Sequence, residues 1–321
     1  MYQEFYGLRE RPFELTANPR YLFMTARHRE ALSTLEYGLF SAKALTVLIG
    51  EAGTGKSTLL QAALQSERCK NVRCVYISNP ALTRQEFVQM LAGRFGLGTS
   101  AATSKTTLLA ELETALRERR QRGEIDALVV DEAQSLTTEL LEEVRLLGNI
   151  ETADEKLLPL ILAGQPELSA RLEDPSLRQL KQRVALRCVL EPLQLPETAA
   201  YIANRIRTAG GIPSHVFTRE SVALIHEYSG GIPRTINVIC DNSLVSGLAL
   251  DRRPVDRAVV LEVCLDFRLR GDDDGPGTMP GDDGPNDGQQ GLNGPRESDE
   301  DAEGRRKISR FRRFAFGSGR S

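Results

Sequence analysis

Apolar residues along the first two thirds of the chain fall in short unbroken runs, not in strict alternation. They occur at Leu45–Ile49, 72–77, Ala127–Val130, 158–162 and about 184–190. Between them, apolar positions recur three and four residues apart. Ala31, Leu32, Leu35 and Leu39 mark one such face, the stretches 82–96 and 106–121 carry two more, and Leu140, Val144 and Leu147 mark a fourth within 137–149. Spacing of three and four is helical, and a continuous apolar run of strand length is what a strand buried on both faces requires. Their alternation predicts an α/β fold with a parallel sheet flanked by helices.

The pattern changes at both ends. Residues 1–40 open with aromatics and prolines, and Phe5, Tyr6, Phe13, Leu15, Tyr21 and Phe23 read as anchors of a linker segment packing on the core. From Pro196 to about residue 268 no strand is evident. Helices are predicted at 196–209, 218–229, 234–249 and 255–268, punctuated by Gly/Pro clusters. The resulting division is 1–40, an α/β core at 41–193, a small all-helical lid domain at 194–268, a linker at 269–304 and a tail at 305–321. No internal repeat is visible.

Charge sharpens the last two boundaries. Over 321 residues the net charge is −3, yet residues 271–304 hold 11 acidic and one basic residue, and 305–321 hold 7 basic and none acidic. The remaining 270 residues are neutral, with 33 of each sign, so the folded part is no polycation of the kind nonspecific nucleic-acid binding favours. The Gly/Asp/Pro-rich 269–304 stretch buries too little to offset ordering entropy and is expected to be disordered. In the tail, Ile308, Phe311 and Phe314/Ala315 share a helical face among arginines. That face suits an anionic membrane surface, an acidic partner groove or nucleic acid; a solvated tail neutralised by the acidic linker is the alternative. No apolar stretch nears the ~20 residues of a membrane span, and the N-terminus lacks a signal-peptide core. The expected location is the cytoplasm, peripheral to the inner membrane if the tail binds it. Five scattered cysteines read as reduced structural thiols, and three dispersed histidines suggest no metal centre.

Two motifs carry the chemistry. Residues Gly50-Glu51-Ala52-Gly53-Thr54-Gly55-Lys56-Ser57, with Thr58 next, fit G-x-x-x-x-G-K-[ST] between an apolar run and a helical stretch. Backbone N–H groups of such a loop, and of the helix it opens, cradle phosphates. Lys56 is suited to reach the β- and γ-phosphates of ATP and Ser57 to ligate Mg²⁺. The second motif is Asp131-Glu132 at the end of an apolar run: Asp131 suits the metal, and Glu132 suits orienting and deprotonating a water. An acidic pair that merely caps a helix is the plainer explanation, which the preceding strand and upstream loop disfavour. A water-activating base favours a hydrolase over a small-molecule kinase.

With these motifs in view the chain resembles the AAA+ ATPases, and more narrowly the ExeA/GspA type (general secretion pathway protein A) associated with type II secretion. The likeness rests on Phe5-Tyr6-Gly7-Leu8, Pro12-Phe13, Asn18-Pro19-Arg20, His28-Arg29-Glu30-Ala31-Leu32, Asp131-Glu132-Ala133-Gln134, Leu146 to Thr152 and Leu162 to Leu168, and spans about 1–268. It implies a P-loop core with a helical lid, ATP with Mg²⁺, nucleotide-dependent self-assembly, and an unidentified secretion or export component as partner. By the same resemblance Gln165 is the sensor of the γ-phosphate or water, Arg234 the lid arginine, and Arg183 the finger lent to a neighbouring subunit, with Arg178 and Arg187 as rivals. Asn79 takes the place of a switch holding Glu132 inactive, against a plain turn former before proline; His28 is read as packing. In the ExeA type a membrane span and a wall-binding part follow the ATPase, where this chain has the acidic linker and basic tail. The alternative function is a DNA-dependent AAA+ ATPase of the transposition-helper type, and a nucleotide-switched scaffold is a second. The α/β stretch is too short for a two-domain helicase, and no N/T-K-x-D offers to read guanine.

Overall fold

A computed structural model describes residues 1–15, 19–78 and 81–267. Asn79, the acidic 269–304 linker and the basic tail lie outside the described residues. Helices α1 (Tyr2–Tyr6) and α2 (Ala26–Phe40) precede strand β1 (Leu45–Gly50). Then come α3 (Lys56–Leu64), β2 (Val72–Ile77), α4 (Arg84–Phe95), α5 (Lys105–Gln121), β3 (Ile125–Val130), α6 (Thr138–Leu147), β4 (Leu160–Gly164), α7 (Pro166–Leu172), α8 (Arg178–Lys181) and β5 (Val184–Leu190). Helices α9 (Leu195–Thr208), α10 (Arg219–Ser229), α11 (Pro233–Ala249) and α12 (Arg257–Asp266) follow.

The chain separates into two units. The α/β unit is Thr16–Leu193 with Ile232–Arg234; the helical unit is Met1–Leu15, Gln194–Gly231 and the described residues from Thr235 on. In the α/β unit five parallel strands run in the order β2-β3-β4-β1-β5. Every residue of β1, β3 and β4 is buried, the consequence of covering the sheet on both faces. Successive residues serve opposite faces. Val47, Ile49, Leu128, Val130, Leu160 and Leu162 join the cluster under α4–α8, while Leu48, Ala127, Val129, Ile161 and Ala163 join the cluster under α2 and α3. Helix starts are set by side-chain caps: Thr25, Ser104 and Thr137 each accept a first-turn N–H, and Thr83 with Glu86 forms a reciprocal capping box on α4.

Three expectations need correction. The sequence predicts a strand at 158–162; it lies at Leu160–Gly164, where Ala163 and Gly164 pair with Leu48 and Ile49 of β1. Pro159 has no N–H for a ladder, and its carbonyl accepts from Leu128 N instead. The opening segment was expected on the core, but residues 1–15 pack within the helical unit. Tyr2 OH donates to Asp241 Oδ1 (2.5 Å), Tyr6 OH to the Arg252 carbonyl (3.1 Å), and Arg205 Nε to the Pro12 carbonyl (2.5 Å). Sequence shows that aromatics are anchors without showing which surface receives them. Leu15 is no anchor, being 59% exposed. Among the described residues no helix is long and apolar enough to cross a membrane.

Candidate active site at the strand ends

The site lies where a parallel sheet places its loops, at the carboxyl ends of β1, β4 and β3. Strand β4 sits between the other two, with Gly164 beside Ile49 and Leu162 beside Val130. Gln165, the residue after β4, therefore emerges between the 50–58 loop and the acidic pair.

The loop turns through left-handed conformations at Gly53 (φ 84°) and Gly55 (φ 98°), which a side chain disfavours. Arg234 closes against it: the Arg234 N–H donates to the Gly53 carbonyl at 3.2 Å. Thr54 is buried and bonds Glu51 O through Oγ1 at 2.8 Å, while Glu51 and Ala52 are exposed at the tip. Helix α3 starts after Gly55 with no side-chain cap, which leaves its first-turn N–H groups, those of Ser57 and Thr58 among them, for an anion. Lys56 is buried, and its Nζ donates to the loop's own carbonyls at Gly50 (2.8 Å) and Glu51 (3.0 Å). Burial pulls its pKa below the usual lysine value; Glu132, Asp131, Glu51 and Glu167 pull the other way. A buried ammonium surrounded by turned N–H groups has the donor set for a polyphosphate.

The second motif meets the first directly. Ser57 Oγ donates to Asp131 Oδ2 at 2.6 Å across 74 positions of sequence. Tyr76 OH, from β2, donates to the same oxygen at 2.6 Å, and Asp131 Oδ1 accepts the Glu132 N–H at 2.9 Å. A hydroxyl and a buried carboxylate in contact are hard oxygen donors of the sort Mg²⁺ takes. Glu132 itself sits at φ 53°, ψ 37°, a left-handed backbone that costs on the order of 1–2 kcal/mol for a residue with a Cβ. Its Oε2 accepts from Gln134 Nε2 (2.5 Å) and Gln165 Nε2 (3.2 Å), and Gln134 Oε1 accepts the Gln165 N–H (3.1 Å). Arg171 on α7 steadies this turn through the carbonyls of Gln134 (2.7 Å) and Leu136 (2.5 Å).

Lys56, Ser57, Asp131, Glu132, Gln165 and Arg234 thus come together. Arg183 does not join them. It precedes β5, whose Val184 pairs with Leu45 at the start of β1, about 16 Å along the strand from Gly50 by strand rise. There it donates to the Gly148 carbonyl at 3.3 Å. Arg187, exposed on edge strand β5, donates to Ser169 Oγ at 2.6 Å, and Arg178 is exposed at the start of α8. His28 is buried, its Nδ1 2.8 Å from the Thr25 hydroxyl. Tyr76 and Gln134 were not singled out from sequence. A tyrosine in an apolar run reads as core, and Gln134 carried only its place in a motif.

Three comparisons bear on this site. A family model described as an AAA domain matches residues 40–172. The general secretion pathway protein A of Aeromonas hydrophila is 40% identical over 249 residues, 78% of this chain and 45% of that protein, so the chain spans under half of that relative's length. A Mu-like prophage FluMu DNA transposition protein B of Haemophilus influenzae is 27% identical over 65% of this chain and 68% of its own. Among solved structures, Cdc6p from Pyrobaculum aerophilum superposes with a TM-score of 0.59 at 19% identity, covering 76% of this chain and 67% of that one, a likeness of fold.

Proposed function

We propose that the chain is an AAA+ ATPase of the general secretion pathway protein A type, and that it uses Mg²⁺-dependent ATP hydrolysis to assemble or remodel a secretion- or export-associated complex. One observation carries the catalytic part: the Ser57 hydroxyl on the Asp131 carboxylate, which unites the phosphate loop and the acidic pair in one site. In this reading Lys56 binds the β- and γ-phosphates, and the N–H groups of residues 50–58 hold their oxygens. Ser57 and Asp131 hold Mg²⁺, which when bound supplies positive charge against the phosphate oxygens. Glu132 orients the attacking water and accepts its proton. Gln165, already bonded to Glu132, senses the γ-phosphate or the water, and Arg234 reports nucleotide from beside Gly53. Arg183, remote from its own loop, acts on the nucleotide of a second copy, where a finger stabilises charge in the transition state. The partner in export is proposed by likeness to the Aeromonas protein alone; a cytoplasmic location, and an anionic membrane surface met by the basic and aromatic 305–316 segment, are proposed from the sequence.

The test is ATP turnover and binding in two variants. Lys56→Ala abolishes nucleotide binding or hydrolysis; Glu132→Gln binds ATP as the parent does and traps it, with turnover reduced by two or more powers of ten. Undiminished turnover in Glu132→Gln would remove Glu132 as the base. The match to a DNA transposition protein supports a second reading, a DNA-dependent ATPase. It requires a large stimulation of turnover by DNA that falls steeply with salt.

A further inference from the structure

The motifs leave Tyr76 without a role. We infer that Tyr76 is a positioning residue of the metal site, a β2 phenol that fixes the Asp131 carboxylate in the orientation divalent-cation binding requires. The inference rests on the Mg²⁺ site proposed above.

In β2, Val75 and Ile77 face the α4–α6 side, while Val72, Cys74 and Tyr76 pack against the cluster beneath α2 and α3. The ring of Tyr76 therefore lies on the face that carries α3, the helix whose second residue is Ser57. Phenylalanine would fill this apolar stripe equally well. The difference is one hydroxyl, and that hydroxyl meets Asp131 Oδ2 at 2.6 Å.

Asp131 is 4% exposed, and its carboxylate takes three protein donors: two hydroxyls on Oδ2 and the Glu132 N–H on Oδ1. These donors are not equivalent. Ser57 sits in the loop whose occupant it must contact, and the Glu132 N–H belongs to the strained turn of the base. Tyr76 alone comes from a strand. Its ring packing fixes the hydroxyl, and the hydroxyl fixes the carboxylate plane. Donors of this outer kind set the orientation of a ligand carboxylate, and losing one costs about 10–100-fold in metal affinity.

The test uses the full chain, with Mn²⁺ as the probe ion. Affinity for Mn²⁺ in the presence of ADP is read by electron paramagnetic resonance. Affinity for ADP in EDTA and the thermal midpoint without metal are measured alongside, for the parent, Tyr76→Phe and Asp131→Asn. Tyr76→Phe is expected to bind Mn²⁺ at least about tenfold more weakly, with ADP affinity in EDTA unchanged. A correspondingly higher Mg²⁺ requirement for turnover at saturating ATP, with kcat recovered at high Mg²⁺, accompanies it. Parent-like Mn²⁺ affinity in Tyr76→Phe, with Asp131→Asn weakened, overturns the inference and leaves the metal site standing. An equal loss of ADP affinity in EDTA also overturns it, because the phenol would then support only the fold of the loop. If Asp131→Asn binds Mn²⁺ as the parent does, the metal site itself falls.

Discussion

Gly53 sets the tolerance of the site. At φ 84° it holds a conformation costly for other residues, and a Cβ there would lie 2.6 Å from the Arg234 Cβ. Gly53→Ala must strain the loop or push Arg234 away, a cost of about 1–2 kcal/mol from the backbone alone. ATP affinity is expected to fall about tenfold or more with little change in thermal midpoint; titration with a fluorescent ATP analogue checks it. Lys56, Ser57, Asp131 and Glu132 are legible in the sequence because their spacing and flanks are the chemistry. Tyr76 and Gln134 are not. Each acts through a bond to a residue whose position in space only the sheet register fixes, and β2 reaches Asp131 only because it pairs with β3, 55 positions on from Tyr76.

At the scale of elements, period told strand from helix wherever a run was long. All five strands and the longer helices follow from it. Burial on both faces makes the inner strands β1, β3 and β4 almost wholly apolar, while the edge strands β2 and β5 keep mostly apolar runs with Arg73 and Arg187 exposed. Short elements escaped. Helix α1 carries no such repeat, and α7 and α8 are only 7 and 4 residues long, although Pro166 at the first turn of α7 is a start signal. The two-residue displacement of β4 matters for the site, since it places Gln165 directly at the strand end. Burial sets the cost of disturbing this frame. Leu128 is fully buried on β3, between β2 and β4, and Leu128→Ala is expected to lower the unfolding free energy by about 2–5 kcal/mol. Urea unfolding of the α/β unit's signal measures it; a loss below 1 kcal/mol would mean the sheet relaxes around the cavity.

At the scale of the whole molecule, the N-terminal residues and the last four helices form one unit, and the α/β core takes back only Ile232–Arg234. Helix α11 thus begins in the α/β unit with Pro233 and Arg234 and continues in the helical unit. Arg183 stands at the far end of its own sheet, beside the start of β1 and bonded to the Gly148 carbonyl. The account therefore predicts that catalysis needs two copies, each giving its arginine to the other's loop.

Mixing two inactive variants tests this most directly. Arg183→Ala keeps an intact loop and acid pair; Lys56→Ala keeps an intact arginine. ATP turnover is measured for each alone and for equimolar mixtures over a range of protein concentration. The account predicts little turnover from either alone and a recovery in the mixture that grows with concentration. Full activity of Arg183→Ala alone, or a mixture no more active than the sum of its parts at every concentration, would contradict it.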